Sequence, residues 1–223
     1  MNLFELDYNL KKGIEDNIKD FVEKLGEKKT KVIDYGCGQM PYKCLFPKNI
    51  NYIGVDLKIN KLADIKISKK DKLPFNKNEI DAVISTQVIH KVENYNFYLK
   101  NINRILKSRG ILFLTTHGNW THHPLGSGDY YRFTIQGINK ILSEHNFKII
   151  KVVPIVGTLG AGLHIRQIVI NAWLKKIPLI GNLFCKIFNL FTNTRIILED
   201  KLQSYGTSIS NPVALAVTAV KIN

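Results

Sequence analysis

The chain has 223 residues, of which 45% are hydrophobic and 22% are charged, a composition typical of a globular protein rather than a disordered or fibrous one. Its formal net charge is +14, yet only five of its 32 basic residues are arginines. Sequence-specific nucleic-acid readers usually concentrate arginine on one face. We therefore expect no specific nucleic-acid partner, only a general attraction to anionic surfaces.

The three cysteines, Cys37, Cys44 and Cys185, are odd in number and form no Cys-x-x-Cys pair, which favours a reducing compartment over a disulfide framework or a zinc site. The N-terminus has early acidic residues and no long apolar core, unlike a signal peptide. No apolar stretch is long enough without charge to predict a membrane span. We expect a cytoplasmic protein, either dissolved or held peripherally on the inner face of the membrane.

Apolar periodicity predicts an alternation of helices and strands. An amphipathic helix is expected over 9–26, a second one ends near Gly110, and a third is capped by Thr134. Short apolar runs predict strands over 31–36, 51–57, 63–68, 80–86, 110–116, 147–155 and 211–222. This order predicts a Rossmann-like, doubly wound α/β sheet that is mostly parallel.

We expect a single domain with an insertion before its last strand. The insertion, 156–210, is rich in Ile, Leu, Phe and Trp, with basic residues spaced through it. It is either a helical subdomain on the substrate side or an amphipathic segment that touches a membrane. Pro178 and Gly181 split it, which favours two short helices over one span. The expected parts are an N-terminal helix (1–29), a cofactor-binding core (30–155), the insertion (156–210) and a closing strand (211–223).

A glycine turn, "DYGCGQMP", follows the first predicted strand, where open α/β sheets bind ligands. In a dinucleotide motif, Gly-x-Gly-x-x-Gly/Ala, the third small residue would fall on Pro41, which has no N–H for a phosphate. Asp34 would also repel a pyrophosphate, whereas it suits a ligand with a cationic amino group. Asp56 ends the second strand 20 residues after Gly36 and can accept both ribose hydroxyls. Together these residues favour S-adenosylmethionine.

The chain resembles class I S-adenosylmethionine-dependent methyltransferases of the type-11 methyltransferase-domain group. The resemblance covers about residues 30–150 and is carried by "VIDYGCGQMPY", "YIGVDL", "LPFNKNEIDAVISTQVIHKV", "FYLKNINRILKSRGILFLTTHG" and "HPLGSGDYYRFTIQGINKILSEHNF". The last stretch is similar to enzymes encoded among genes for bacterial surface glycans. The resemblance implies a seven-stranded sheet whose last strand is antiparallel.

The resemblance also implies roles for individual residues. Asp34, Gly36 and Gly38 would hold the methionine end of the cofactor, Asp56 and Leu57 the ribose and the adenine edge, Gln87 the methyl-donor pocket and Asp71 the adenine amino group. One departure matters: His90-Lys91 stands where the family usually has Glu-His, so the usual roles at that position do not carry over.

Methyl transfer to a hydroxyl benefits from a base, commonly histidine or a carboxylate. His117 and His123 are the candidate bases, and Tyr131 and Arg132 lie in the loop that follows; a guanidinium suits a phosphate or carboxylate on the acceptor. Isolated histidines are more often packing residues, and Arg132 can pair with Asp129. The histidines show no metal-ligand spacing, so we expect no metal.

The function that we expect is methyl transfer to a small-molecule, glycan or lipid-linked acceptor at a hydroxyl. A quinone or lipid acceptor, and a non-catalytic S-adenosylmethionine-binding subunit, are the alternatives. We further expect 156–210 to attach reversibly to anionic membranes. The sequence leaves the oligomeric state open.

Overall fold

The computed structural model describes residues 2–26, 30–121 and 128–222, which form a seven-stranded sheet with helices on both faces. The strands are β1 (Thr30–Tyr35), β2 (Ile50–Leu57), β3 (Ile65–Ile67), β4 (Ile80–Thr86), β5 (Leu106–His117), β6 (Phe147–Ile155) and β7 (Ala214–Lys221). The helices are α1 (Tyr8–Leu25), α2 (Tyr95–Ile105), α3 (Ile135–Ser143), α4 (Thr158–Leu174), α5 (Gly181–Leu202) and α6 (Tyr205–Ser210).

The strand order is β3-β2-β1-β4-β5-β7-β6. Strands β1 to β5 pair in parallel, and β7 runs antiparallel to both β5 and β6. The predicted fold, a mostly parallel doubly wound sheet with an antiparallel last strand, is confirmed. The order reverses between β1 and β4, so a crevice opens at the carboxyl ends of these strands, where such sheets bind ligands.

Two apolar cores cover the two faces of the sheet. On one face α2 and α3 pack against alternate strand residues such as Ile33, Val83 and Leu112. On the other face α1, α4 and α5 pack against the intervening residues, such as Val32 and Ala82. Side chains alternate between the two faces of the sheet along a strand. A strand such as β4 therefore buries side chains on both faces.

The segment between β1 and β2, all of which the structure describes, has no α-helix. It contains a single 3-10 turn, Lys43–Leu45. Pro41 and Pro47 lie only six positions apart, and a proline disfavours helical geometry in the residue before it, so a full α-helix does not fit. The boundary before β5 also differs: α2 ends at Ile105, since Leu106 pairs with Ile80 and starts the strand earlier than predicted.

The expected insertion corresponds to three helices between β6 and β7. The break near Pro178 is confirmed, but α4 and α5 have 17 and 22 residues and are not short. They pack against each other as a hairpin, with Gln167 of α4 bonded to Asn189 and Asn193 of α5. Across the ranges that the structure describes, no helix combines the length and apolarity that crossing a membrane requires.

Candidate functional site

The turn after β1 is held by two glycines in the left-handed region. Gly36 and Gly38 have φ angles of +85° and +51°, which glycine adopts without a Cβ penalty. A Cβ on Gly36 would lie 2.4 Å from Cγ2 of Val88, so a side chain there would displace the segment after β4. Around Gly38, no heavy atom of the described residues beyond its chain neighbours lies within 4 Å of such a Cβ. The turn is therefore packed at Gly36 and open at Gly38.

Asp34 lies near the end of β1 and is only 1% exposed. Its Oδ2 accepts a hydrogen bond from the Tyr52 hydroxyl, whereas its Oδ1 has no hydrogen-bond partner among the residues that the structure describes. Burial raises the pKa of Asp34 to about 7, while the Tyr52 hydrogen bond lowers it and the charge of Asp56 raises it. A buried acceptor without a donor costs free energy, so Oδ1 marks a position where a ligand can supply the donor.

Asp56, near the end of β2, is held by its neighbours. Its Oδ2 accepts from the Gly38 N–H at 2.9 Å and from Asn60 Nδ2 at 2.8 Å, and its Oδ1 accepts from the Leu57 N–H at 2.7 Å. Asn60 Nδ2 also donates to the Gly38 carbonyl at 2.7 Å. A carboxylate offers about four acceptor positions, so one remains. Accepting both ribose hydroxyls, as the sequence analysis expects, requires one of these bonds to be given up.

Gln87 follows β4 directly, next to the glycine turn. It has a φ of +58°, uncommon for a residue with a side chain, and its N–H donates to the carbonyl of Thr115 at 3.0 Å. Both atoms of its side-chain amide are buried and have no hydrogen-bond partner within the described ranges. Gln87 and Asp34 thus both bring unsatisfied polar atoms to the crevice between β1 and β4.

Asp71 lies in an exposed turn after β3, away from β1. Its carboxylate accepts from the Ser68 N–H at 2.7 Å, and this bond is the main cause that lowers its pKa. The structure therefore assigns the carboxylate to a local turn, and its predicted role toward the adenine amino group stays a prediction.

His117, the last residue of β5, belongs to a column of four rings at the same edge of the sheet. Its ring stacks on Trp120 with 4.3 Å between centroids and lies 4.2 Å from His90, which follows β4. Trp120 lies 4.9 Å from His164 of α4, whose pKa is lowered by burial. We call these four residues the aromatic column. It brings the helical insertion into contact with the predicted acceptor side.

Tyr131 and Arg132 are engaged in holding their own loop. The Tyr131 hydroxyl donates to the carbonyl of Glu93 at 3.0 Å. Arg132 makes a bidentate pair with Asp129, at 2.5 and 2.8 Å, and also donates to the carbonyl of Thr121 at 3.0 Å. An acceptor phosphate or carboxylate would have to compete with Asp129, so a role for Arg132 in binding the acceptor stays a prediction.

The other candidate base, His123, lies outside the described residues, as does His122. Among the residues that the structure does describe, no group of three or more His, Cys, Asp or Glu side chains is placed to hold a metal ion.

Comparisons with known proteins show the family of the chain. The profile of a methyltransferase-domain family matches residues 6–152. The chain belongs to the methyltransferase-domain family. The prediction of an S-adenosylmethionine-dependent methyltransferase is thereby confirmed at the level of the family.

Individual relatives of this family member are distant. A ubiquinone biosynthesis O-methyltransferase from Pelagibacter ubique (strain HTCC1062) is 26% identical over 167 residues, which are 67% of this chain and 60% of that protein. The structure of the [4+2]-cyclase SpnF has a TM-score of 0.60 at 13% identity and covers 93% of this chain and 81% of the cyclase. Haemonchus contortus phosphoethanolamine N-methyltransferase 2, solved with S-adenosyl-L-methionine, has a TM-score of 0.56 at 19% identity and covers 93% and 53% of the two chains. At these identities the solved structures show the fold alone.

Two residues of the crevice, Tyr52 and Asn60, were not predicted from the sequence. Tyr52 was missed because its partner Asp34 lies on another strand, so their contact depends on the register of β1 and β2. Asn60 was missed because its bonds depend on the turn after β2. The spacing of Asp56 and Asn60, four apart, was the available signal.

Proposed function

We propose that this chain transfers the methyl group of S-adenosylmethionine to a hydroxyl of a small-molecule, glycan or lipid-linked acceptor. The observation that carries the proposal is the pair of buried, unsatisfied side chains, Asp34 and Gln87, beside an open glycine turn. Asp56 and Asp64 lie close enough to act, with Asp34, on the pKa of Cys37. Three carboxylates around one turn favour a cationic ligand over a pyrophosphate, although the chain as a whole is basic.

The residues present fit the cofactor. Asp34 and the turn at Gly36 and Gly38 would hold its methionine end, and Gln87 its methyl-donor region. Asp56 and the neighbouring Leu57 would hold its ribose and adenine edge, with Asp71 as the expected partner of the adenine amino group. When bound, S-adenosylmethionine supplies an electrophilic methyl group. The chain's own residues then have to position the acceptor and take the proton of its hydroxyl.

His117 is the described residue best placed for the proton. It ends β5, next but one to β1 in the sheet, and its ring lies 4.2 Å from that of His90. A neutral imidazole at this position can accept a proton from a hydroxyl.

Two alternatives have specific support. The name of the Pelagibacter ubique relative supports a quinone-like acceptor, whose phenolic hydroxyl would use the same base. The His90-Lys91 pair, which stands where the family usually has Glu-His, supports a chain that binds the cofactor without transferring its methyl group. Label transfer separates these alternatives, since only a methyltransferase moves the methyl group to another molecule.

Replacing His117 with asparagine should lower the methyl-transfer rate by about 100-fold or more while leaving the affinity for S-adenosylhomocysteine unchanged. The assay incubates methyl-labelled S-adenosylmethionine with a lipid extract and, separately, with a soluble small-molecule extract of the source organism, and follows the label into product. His145→Asn is the matched control, because His145 is also buried but bonds to the carbonyl of Ile141 in α3. Equal rates for the two variants would rule out His117 as the base, and no label in either extract would contradict the transfer itself.

We also propose that the tip of the α4–α5 hairpin attaches to anionic membranes and so meets a lipid-linked acceptor. Between 159 and 198 the chain has five basic residues and no acidic one. Large apolar side chains at this hairpin are exposed, among them Trp173 (73%), Leu179 (fully) and Phe191 (69%). Apolar area provides the grip of an interfacial helix, and each basic residue near anionic lipid adds about 1 kcal/mol.

Replacing Trp173 and Leu179 together with serine should abolish flotation with vesicles of anionic phospholipid. Substitution is preferable to deletion, because the hairpin covers the core on the face of α1. Ile59→Ser is the control, since Ile59 is 89% exposed elsewhere on the surface. If the wild-type protein ignores anionic vesicles, or floats equally well with neutral phosphatidylcholine, the hairpin is a substrate lid or a contact between copies.

A further inference from the structure

Tyr52 enters the cofactor crevice from the neighbouring strand. In the parallel pairing of β1 and β2, Val32 lies opposite Tyr52 and Asp34 lies opposite Gly54. The Tyr52 hydroxyl donates a hydrogen bond to Asp34 Oδ2, while the space over Gly54 is taken by the side chains of Met40 and Cys37. The ring itself packs against Phe46, with 5.0 Å between centroids. The phenol is thus supported by packing and reaches one oxygen of one carboxylate.

The other oxygen of this carboxylate shows which group a ligand would have to supply. Asp34 Oδ1 is buried and has no hydrogen-bond partner in the described ranges. A buried carboxylate with one oxygen bonded and the other unsatisfied suits a cationic donor. The amino group of a methionine-type ligand is such a donor.

We propose that Tyr52 is a positioning residue for the cofactor: its hydrogen bond orients the Asp34 carboxylate and favours the ionised form, with Oδ1 left for the ligand's ammonium group. The proposal rests on the proposed function. It adds to that function a residue outside the glycine turn that sets the pH range in which the cofactor binds.

The charges around Asp34 make the Tyr52 bond decisive. Burial raises the pKa of Asp34 to about 7, the hydrogen bond from Tyr52 lowers it, and the charge of Asp56 at the end of β2 raises it. Without the phenol, the lowering effect of this hydrogen bond on the pKa of Asp34 is lost. Among the described residues, Asp34 also interacts electrostatically with Cys37 and Tyr42 in the segment after β1 and with Tyr98 on α2.

The test compares S-adenosylhomocysteine binding by the wild-type protein, Tyr52→Phe and Tyr42→Phe from pH 6 to pH 9. In Tyr52→Phe the pKa of Asp34 should rise by about one unit, so the variant should bind about tenfold more weakly at pH 6 and almost equally at pH 9. The ligand's own amine also titrates, but its titration cancels in the ratio of variant to wild type. Tyr42→Phe removes a phenol that lies near Asp34 but shows no hydrogen bond to it. The affinity of Tyr42→Phe relative to the wild type should therefore stay near one.

If the affinity of Tyr52→Phe relative to the wild type is the same at every pH, the proposal is overturned. Loss of a merely structural phenol would weaken binding independently of the protonation of Asp34. A second readout needs no ligand: the ¹³C signal of the Asp34 carboxyl should titrate at higher pH in Tyr52→Phe than in the wild type. An unchanged titration would likewise overturn the proposal. If the wild-type protein binds no S-adenosylhomocysteine at any pH, the proposed function itself fails, which is a distinguishable outcome.

Discussion

Replacing Asp34 with asparagine should stabilise the protein at pH 8 and, at the same pH, remove most of its affinity for S-adenosylhomocysteine. The pKa of Asp34 is raised to about 7 in the folded chain, against about 4 in an unfolded one. Between these values the folded protein binds more protons, so this group makes the wild type less stable as the pH rises from about 4 to about 7. The variant should therefore gain up to about 4 kcal/mol in free energy of unfolding at pH 8, and little below pH 4. Binding weakens because the ligand's ammonium loses its charged partner.

Urea unfolding at pH 4, 6 and 8 measures the first effect, and calorimetry with S-adenosylhomocysteine measures the second. Asp71→Asn is the control, and its effect on the free energy of unfolding should have the opposite sign. The pKa of Asp71 is lowered by its bond from the Ser68 N–H, so removing that carboxylate should cost stability above about pH 4. A stability difference for Asp34→Asn that does not vary with pH would contradict the placement of this carboxylate in a buried site.

Replacing Asn193 with leucine should lower the free energy of unfolding by about 3–5 kcal/mol. Asn193 is fully buried in α5. Its Nδ2 donates to the carbonyls of Leu3 and Glu5, each at 2.8 Å, and its Oδ1 accepts from Asn9 at 3.0 Å and Gln167 at 3.2 Å. Leucine has a similar size but leaves these buried partners unsatisfied, which costs more than the lost bonds alone. The N-terminal segment before α1 should also become accessible.

Asn182→Leu is the matched control, since it makes the same substitution at an exposed position of α5. Thermal unfolding and hydrogen exchange over 2–7 measure the two effects. Asn193→Leu should leave S-adenosylhomocysteine affinity intact below its lower melting temperature, because the glycine turn lies on other elements. Equal stability of the two variants would show that the amides between α4 and α5 do not hold the N-terminal segment.

Much of the fold followed from local patterns. Apolar periodicity predicted the bounds of α1 to within one residue at each end, and it predicted the observed bounds of β6. The reason is that the period of buried side chains indicates whether a segment is a helix or a strand. The glycine turn and the break near Pro178 were predictable, since glycine and proline act through their own backbone. No element was predicted between the glycine turn and β2, where the structure has a single 3-10 turn, Lys43–Leu45.

By itself, the sequence determined the α/β class, the turn at Gly36 and Gly38 and the choice of Asp34 and Asp56 as site candidates, because these depend on residue type and short spacing. Only the tertiary structure decided what those side chains face. Tyr52 meets Asp34 through strand register, and Asn193 bonds to carbonyls near the N-terminus. The physical reason is that burial and hydrogen-bond partners arise between elements far apart in the chain, and a carboxylate's pKa depends on them more than on its neighbours in sequence.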